Sequence, residues 1–122
     1  MPLQFNPDRN ATVTTEEREG TIIIHLSGHI NELAADRLSS RLDEILEKGF
    51  SRIIFELGDV IFMGSSGLGQ IMRVYRALRE EEGYVRVVNP QPLIRDLFEL
   101  TKLNKLLSIH PTVDEAMAAG RD

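Results

Sequence analysis

Short runs of β-branched residues alternate along this chain with longer stretches whose apolar residues return every three or four positions. Ile22-Ile23-Ile24, Ile53-Ile54-Phe55 and Tyr84–Val88 are of the first kind. Leu38, Leu42, Ile45 and Leu46 are of the second, as are Leu68, Ile71, Met72, Tyr75 and Leu78, and then Leu93, Ile94, Leu97 and Phe98. β-Branched side chains fit a pleated sheet, whereas a 3.6-residue period places apolar groups on one side of a helix. Strands alternating with amphipathic helices imply right-handed βαβ crossovers. The expectation is an α/β fold: one sheet with helices packed against it.

The boundaries follow from turn and cap residues. Ala11–Arg18 reads as a weak strand, and Glu19-Gly20 as a turn into the strand Thr21–Ser27. So short a connection favours an antiparallel hairpin, which makes the sheet mixed. Gly28 is expected to end that strand. Asn31 then suits an N-cap with Glu32 in the first turn, and Gly49 stops the helix. Arg52–Leu57 fits a central strand covered on both faces, and Val60–Met63 is strand-like. In the second helix Arg73, Arg76 and Glu80 lie on the polar side. There the two arginines serve either as solvated residues or as partner contacts. Gly83 is expected to end this helix. Pro90 and Pro92 introduce the third helix. Leu106–Ile109 is a short strand, and Pro111-Thr112 starts a last helix, Val113–Ala119, giving about four helices. Residues 1–10, with two prolines, read as a flexible lead-in, and residues 11–119 as one domain.

The 122 residues carry a net charge of −5 and no basic cluster, and their densest charge run, Arg79-Glu80-Glu81-Glu82, is acidic overall. No nucleic-acid partner is expected, because such binding draws on Lys and Arg against phosphates. The absence of cysteine removes disulfides and thiolate chemistry. Nothing resembles a secretory signal or a spanning segment, so a cytoplasmic location without membrane insertion is expected. His25, His29 and His110 are the only imidazoles. They form no convincing ligand set, so neither metal nor cofactor is expected. An enzyme is not expected either.

One segment departs from this regular pattern. Gly64-Ser65-Ser66-Gly67-Leu68-Gly69 opens the second helix, although glycine in a helix costs about 1 kcal/mol relative to alanine. Glycines kept there point to a close approach by a neighbouring element, a ligand or a partner. The serines fall where helical N–H groups lack partners and where an anion is favoured. A phosphate on Ser65 would bring nearly two negative charges to a place that tolerates them. Ser-Ser-Gly also serves simply as cap and turn. The spacing Gly-x-x-Gly-x-Gly matches neither the dinucleotide fingerprint nor a phosphate loop. Nor does Gly-Ser-Ser-Gly match the hydrolase Gly-x-Ser-x-Gly elbow.

Glu56 to Gly69 resembles the central signature of STAS domains, particularly of bacterial anti-sigma factor antagonists. Leu26-Ser27-Gly28-His29-Ile30-Asn31 is similar to that family's passage from strand to first helix, and Leu97–Leu103 to its late helix and turn. The likeness extends over about residues 12–119. It implies a STAS-like mixed sheet of four to five strands with helices packed against it, and a protein-binding switch in transcription regulation. In such a switch, an anti-sigma factor that is also a serine kinase phosphorylates one serine, and a PP2C-type phosphatase resets it. By this resemblance the phosphoserine falls on Ser65, with Ser66 as second choice. The partner-binding residues fall on Asn31, Asp59, Gly64, Ser65, Ser66, Gly67, Leu68 and Gly69. The resemblance leaves room for a weak homodimer. Two positions depart from the family's pattern: Gly64 stands where Asp usually precedes the phosphoserine, and Asn31 where Asp is frequent. Both remove negative charge from the contact surface and point either to a different kinase or to a member that is never phosphorylated; Gly64 favours the alternative, a non-phosphorylated STAS scaffold subunit of a signalling or transporter-associated complex.

Overall fold

The computed structural model describes residues 11–120; the expected lead-in, 1–10, lies outside them. Strands β1 (Thr12–Arg18) and β2 (Thr21–Ile30) form a hairpin. Its two turn residues, Glu19 and Gly20, have φ values of 52° and 82°. Two successive positive φ values match the right-handed twist of the strands they join. Helix α1 (Glu32–Glu47), strand β3 (Arg52–Met63), helix α2 (Ser65–Leu78) and strand β4 (Tyr84–Val88) follow. Helix α3 (Pro92–Leu100), strand β5 (Ser108–His110) and helix α4 (Val113–Ala118) complete the fold. The sheet order is β1-β2-β3-β4-β5, antiparallel for the first pair and parallel for the rest.

Because the parallel strands are added in one direction, α1, α2 and α3 share one face of the sheet. Leu38, Leu42, Ile71, Val74, Ile94 and Phe98 bury there against Ile24, Phe55 and Val87. Helix α4 covers the centre of the other face, where Ala116 meets Ile23, Ile54 and Val88. The middle strands are therefore covered on both sides, which explains the unbroken run Ile22-Ile23-Ile24.

Several expectations change. Strand β2 does not stop at Gly28 but continues to Ile30. Gly28 takes φ 83° where the pairing with β3 slips by one residue, a bulge that glycine adopts without steric cost. The two strand-like pieces before α2 are one strand of 12 residues, β3. Helix α2 ends at Leu78, before Gly83. A Cβ at Gly83 would lie 2.0 Å from the Ser51 carbonyl oxygen, so this glycine permits a close approach of two chain segments. Leu93, expected on the apolar side of α3, is 66% exposed; the core positions belong to Ile94 and Phe98. Arg73 does not simply face solvent. Its guanidinium lies 3.0 Å from Asp43 and donates to the Ser39 carbonyl at 3.2 Å, joining α2 to α1.

Arg86, in the middle of β4, is 1% exposed. It lies 3.7 Å over the Tyr84 ring and donates to the carbonyls of Ala116 (2.6 Å), Ala119 (3.2 Å) and Gly120 (2.5 Å). A helix leaves its last carbonyls without internal partners, and a guanidinium presents several donors to them at once. Arg86 thus fastens α4 to the sheet.

Candidate partner-binding site

The start of α2 is built at the end of β3. Gly64, the N-cap, has extended backbone (φ −85°, ψ 179°). Its N–H donates to the Ile30 carbonyl at 3.1 Å, and its carbonyl accepts from the Leu68 N–H at 3.1 Å. Having no side chain, Gly64 supplies no cap. The N–H groups of Ser65, Ser66 and Gly67 therefore open the helix without intrahelical acceptors, at the positive end of its dipole. Ser65 is the first helical residue and is exposed; Ser66 is half-buried.

The two glycines of α2 differ in role. A Cβ at Gly67 would lie 2.9 Å from Ile30 Cγ2 and 3.0 Å from Met63 Cγ. Gly67 is buried, so it sets the spacing between the helix and the strand ends and contributes little surface. Gly69 is exposed, and a Cβ there would meet nothing within 4 Å. Leu68 is half-buried against the main core.

Asn31 caps α1: its Oδ1 accepts from the Ala34 N–H at 3.0 Å. The Ile30–Gly64 hydrogen bond brings this cap beside the start of α2. Asn31 and residues 64–69 therefore share one rim. Asp59 is exposed but lies farther back, opposite Ser27. Four strand positions separate it from Met63, roughly 13 Å at about 3.3 Å per residue.

Three exposed apolar residues on this rim were not singled out from sequence: Leu33 (53%), Ile61 (55%) and Phe62 (46%). The cause is topological. Pairing of β3 with β4 stops at Glu56, whereas pairing with β2 continues to Met63. The last seven of the 12 residues of β3 thus have a neighbouring strand on one side only. The signal available in the sequence was that β3 is seven residues longer than the strand beside it. His29 is also exposed, with its ring centroid 6.2 Å from that of Phe62. Segments 26–36 and 57–72 contain no Lys or Arg, while Glu32, Asp36 and Asp59 are acidic.

A cleft lined by Glu19, Thr21, Arg52, Glu82 and Tyr84 lies at the far end of β3 from this rim. Among the described residues, no cluster of three or more His, Asp or Glu side chains could hold a metal ion. Among the same residues, no helix is long and apolar enough to cross a membrane.

Residues 12–116 match the STAS domain family. The chain belongs to that family. A five-stranded mixed sheet with helices packed against it is the fold of solved STAS structures. The anti-sigma F factor antagonist of Paenibacillus polymyxa is 28% identical over 102 residues, spanning 83% of this STAS chain and 87% of the relative. The crystal structure of an anti-sigma factor antagonist from Mycobacterium paratuberculosis superposes with a TM-score of 0.85 at 31% identity, covering 96% of this chain and 98% of that one. The Bacillus cell fate determinant SpoIIAA in its phosphorylated form superposes with a TM-score of 0.71 at 25% identity, covering 87% and 96%. The relatives of this STAS domain are thus anti-sigma factor antagonists.

Proposed function

We propose that this STAS domain is an anti-sigma factor antagonist switched by phosphate on Ser65. In the unmodified state the rim formed by Asn31, Gly64, Ser65, Ser66, Leu68 and Gly69, with Asp59 farther along β3, docks on an anti-sigma factor that is also a serine kinase. Phosphorylation releases that partner, and a PP2C-type phosphatase restores binding. The cycle operates in the cytoplasm and uses no cofactor. Protein binding, without catalysis, is the domain's role.

The observation that carries this reading is the position of the Ser65 hydroxyl: exposed, on the first residue of a helix whose opening N–H groups have no helical acceptor. A phosphate there adds charge where the helix dipole favours it, so the fold survives modification. The rim segments contain no Lys or Arg to absorb that charge, and a docking partner would have to desolvate it. A difference of about 3 kcal/mol in binding changes affinity more than a hundredfold. The existence of a phosphorylated form of SpoIIAA adds support.

The test is incubation with the anti-sigma kinase and ATP, followed by intact-mass measurement of the parent chain and of Ser65→Ala. One phosphate on the parent and none on the variant is the expected result, together with loss of anti-sigma binding by Ser65→Asp. Gly64, where the family usually has Asp, favours a second reading: a scaffold STAS subunit that is never phosphorylated. A Cβ at Gly64 would meet only the Phe62 ring, at 3.6 Å, and the Ile30 carbonyl, at 4.0 Å. Asp would therefore fit there. If Gly64→Asp gains phosphate and the parent chain gains none, the scaffold reading holds.

A further inference from the structure

Of the six large apolar side chains exposed among the described residues, three belong to the rim. The other three, Leu93 (66%), Leu100 (82%) and Leu106 (50%), lie on α3 and just after it. Helix α3 buries Ile94 and Phe98 against the sheet, and Leu97 is half-buried. At about 100° per residue, Leu93, Leu97 and Leu100 fall within about 60° of one another, roughly 110° from the midpoint of Ile94 and Phe98. The helix thus carries two apolar sides, and the domain's own core covers only one. Single exposed leucines are ordinary on a protein surface, whereas a contiguous stripe marks a place of contact.

The charges around the stripe are ordered. Asp96 and Glu99 precede Leu100 and lie on the flank of the stripe away from the core, while Arg95 falls nearly opposite it. Lys102 and Lys105 follow Leu100. Lys102, with φ 63°, separates α3 from the turn Leu103–Lys105, which packs against that helix. Asp96, Glu99, Lys102 and Lys105 are all exposed, and none is in an ion pair among the described residues.

Acids on one side of the most exposed leucine and bases on the other make a surface complementary to its own reverse. A twofold axis sets each end of such a patch against the opposite end of the same patch on another copy. We propose that the α3 stripe is where two copies of this chain associate, antiparallel about an axis near Leu100. Leu100 then meets its counterpart, and Asp96 and Glu99 of each copy face Lys102 and Lys105 of the other. Two chains of net charge −5 repel each other overall, so the local match of acid with base is what selects this face. Three exposed leucines amount to a few hundred Å² per copy, against about 800 Å² per partner in a stable complex. The association is therefore weak, with a dissociation constant on the order of 0.1 mM. It uses none of the rim residues and requires no phosphate on Ser65.

Sedimentation equilibrium of the full chain, from about 10 µM to about 1 mM, tests this directly. The average mass is expected to rise from that of one chain toward that of two. Leu100→Lys places a cation in the last turn of α3, where the helix dipole accepts it, and should weaken association about tenfold or more. Leu93→Lys should act in the same direction. Both positions are exposed, so the far-UV circular dichroism and the unfolding midpoint of each variant stay those of the parent. Glu99→Lys and Lys102→Glu each set like charges against one another at two symmetric places, and each should weaken association about threefold or more. The double variant carrying both exchanges restores opposite charges and should return to within about twofold of the parent. A parent chain that stays monomeric at about 1 mM leaves the stripe to a different protein and overturns the inference. Association that survives both leucine variants, or a double exchange no stronger than either single one, overturns it as well. None of these outcomes bears on Ser65, so the proposed function stands or falls separately.

Discussion

The two glycines in the opening turns of α2 should respond to the same substitution with opposite sign. In a helix, alanine is favoured over glycine by about 1 kcal/mol. At Gly69 nothing stands within 4 Å of the new methyl group, and the site is exposed. Gly69→Ala should therefore stabilise the domain by about 0.5–1 kcal/mol. At Gly67 the methyl would lie 2.9 Å from Ile30 Cγ2, 3.0 Å from Met63 Cγ and 3.4 Å from the Ile30 carbonyl oxygen. Met63 can turn aside, but Ile30 is 1% exposed and branched at Cβ, so its methyl has no free rotamer to move into. Overpacking of this kind costs about 1–3 kcal/mol. Set against the helix gain of about 1 kcal/mol, Gly67→Ala should lose about 0–2 kcal/mol. Urea titration followed by far-UV circular dichroism measures both variants against the parent, with unchanged slopes required for the comparison. Equal stability of the two variants would refute the reasoning, since it would mean that α2 does not lie this close to the end of β2.

Two further predictions concern the other face of the sheet. Arg86→Met keeps an unbranched stem but removes the guanidinium, and with it the donors to the Ala116, Ala119 and Gly120 carbonyls. The loss should be about 2–4 kcal/mol, with faster amide exchange in α4; unchanged exchange there would show that Arg86 does not hold the helix. Hydrogen bonds from His25 and Arg18 hold the Glu16 carboxyl below its usual titration range. A folded-state value below the unfolded one gives stability that is present above the unfolded value and lost as pH falls through the folded one. Glu16→Gln should therefore be less stable than the parent at neutral pH, with the gap closing on acidification through the carboxylate range. A gap that stays constant from neutral to acid pH would refute this assignment.

Much of the fold was legible because its signals are local. The Asn31 cap, the Glu19-Gly20 turn, the stop at Gly49 and the helical spacing of Leu38, Leu42 and Ile45 each depend on residues a few positions apart. The structure realises all of them. The exposure of Ser65 belongs to the same group, since a residue at the tip of a helix that follows a strand end has few neighbours. Where local signals misled, a distant segment was responsible. Gly83 reads as a helix stop, yet its place is set by the Ser51 carbonyl. Arg73 reads as solvated, yet Asp43 and Ser39 of another helix engage it. Nothing adjacent in the chain announces that α4 brings three carbonyls onto Arg86.

The rim shows the same division. The order of residues determined by itself that a glycine-rich, serine-bearing turn would open a helix after a strand, because backbone preference and capping act over one or two turns. Only the assembled sheet decided which side chains surround that turn. Strand β4 ends opposite Glu56 while β3 continues to Met63. Ile61 and Phe62 are therefore left uncovered, with His29 beside them. Gly67 is tied to Ile30 for a similar reason: the two are 37 positions apart in the chain and meet only when the ends of β2 and β3 lie side by side. Contacts between such distant positions come from packing and strand length, which no short window of sequence contains.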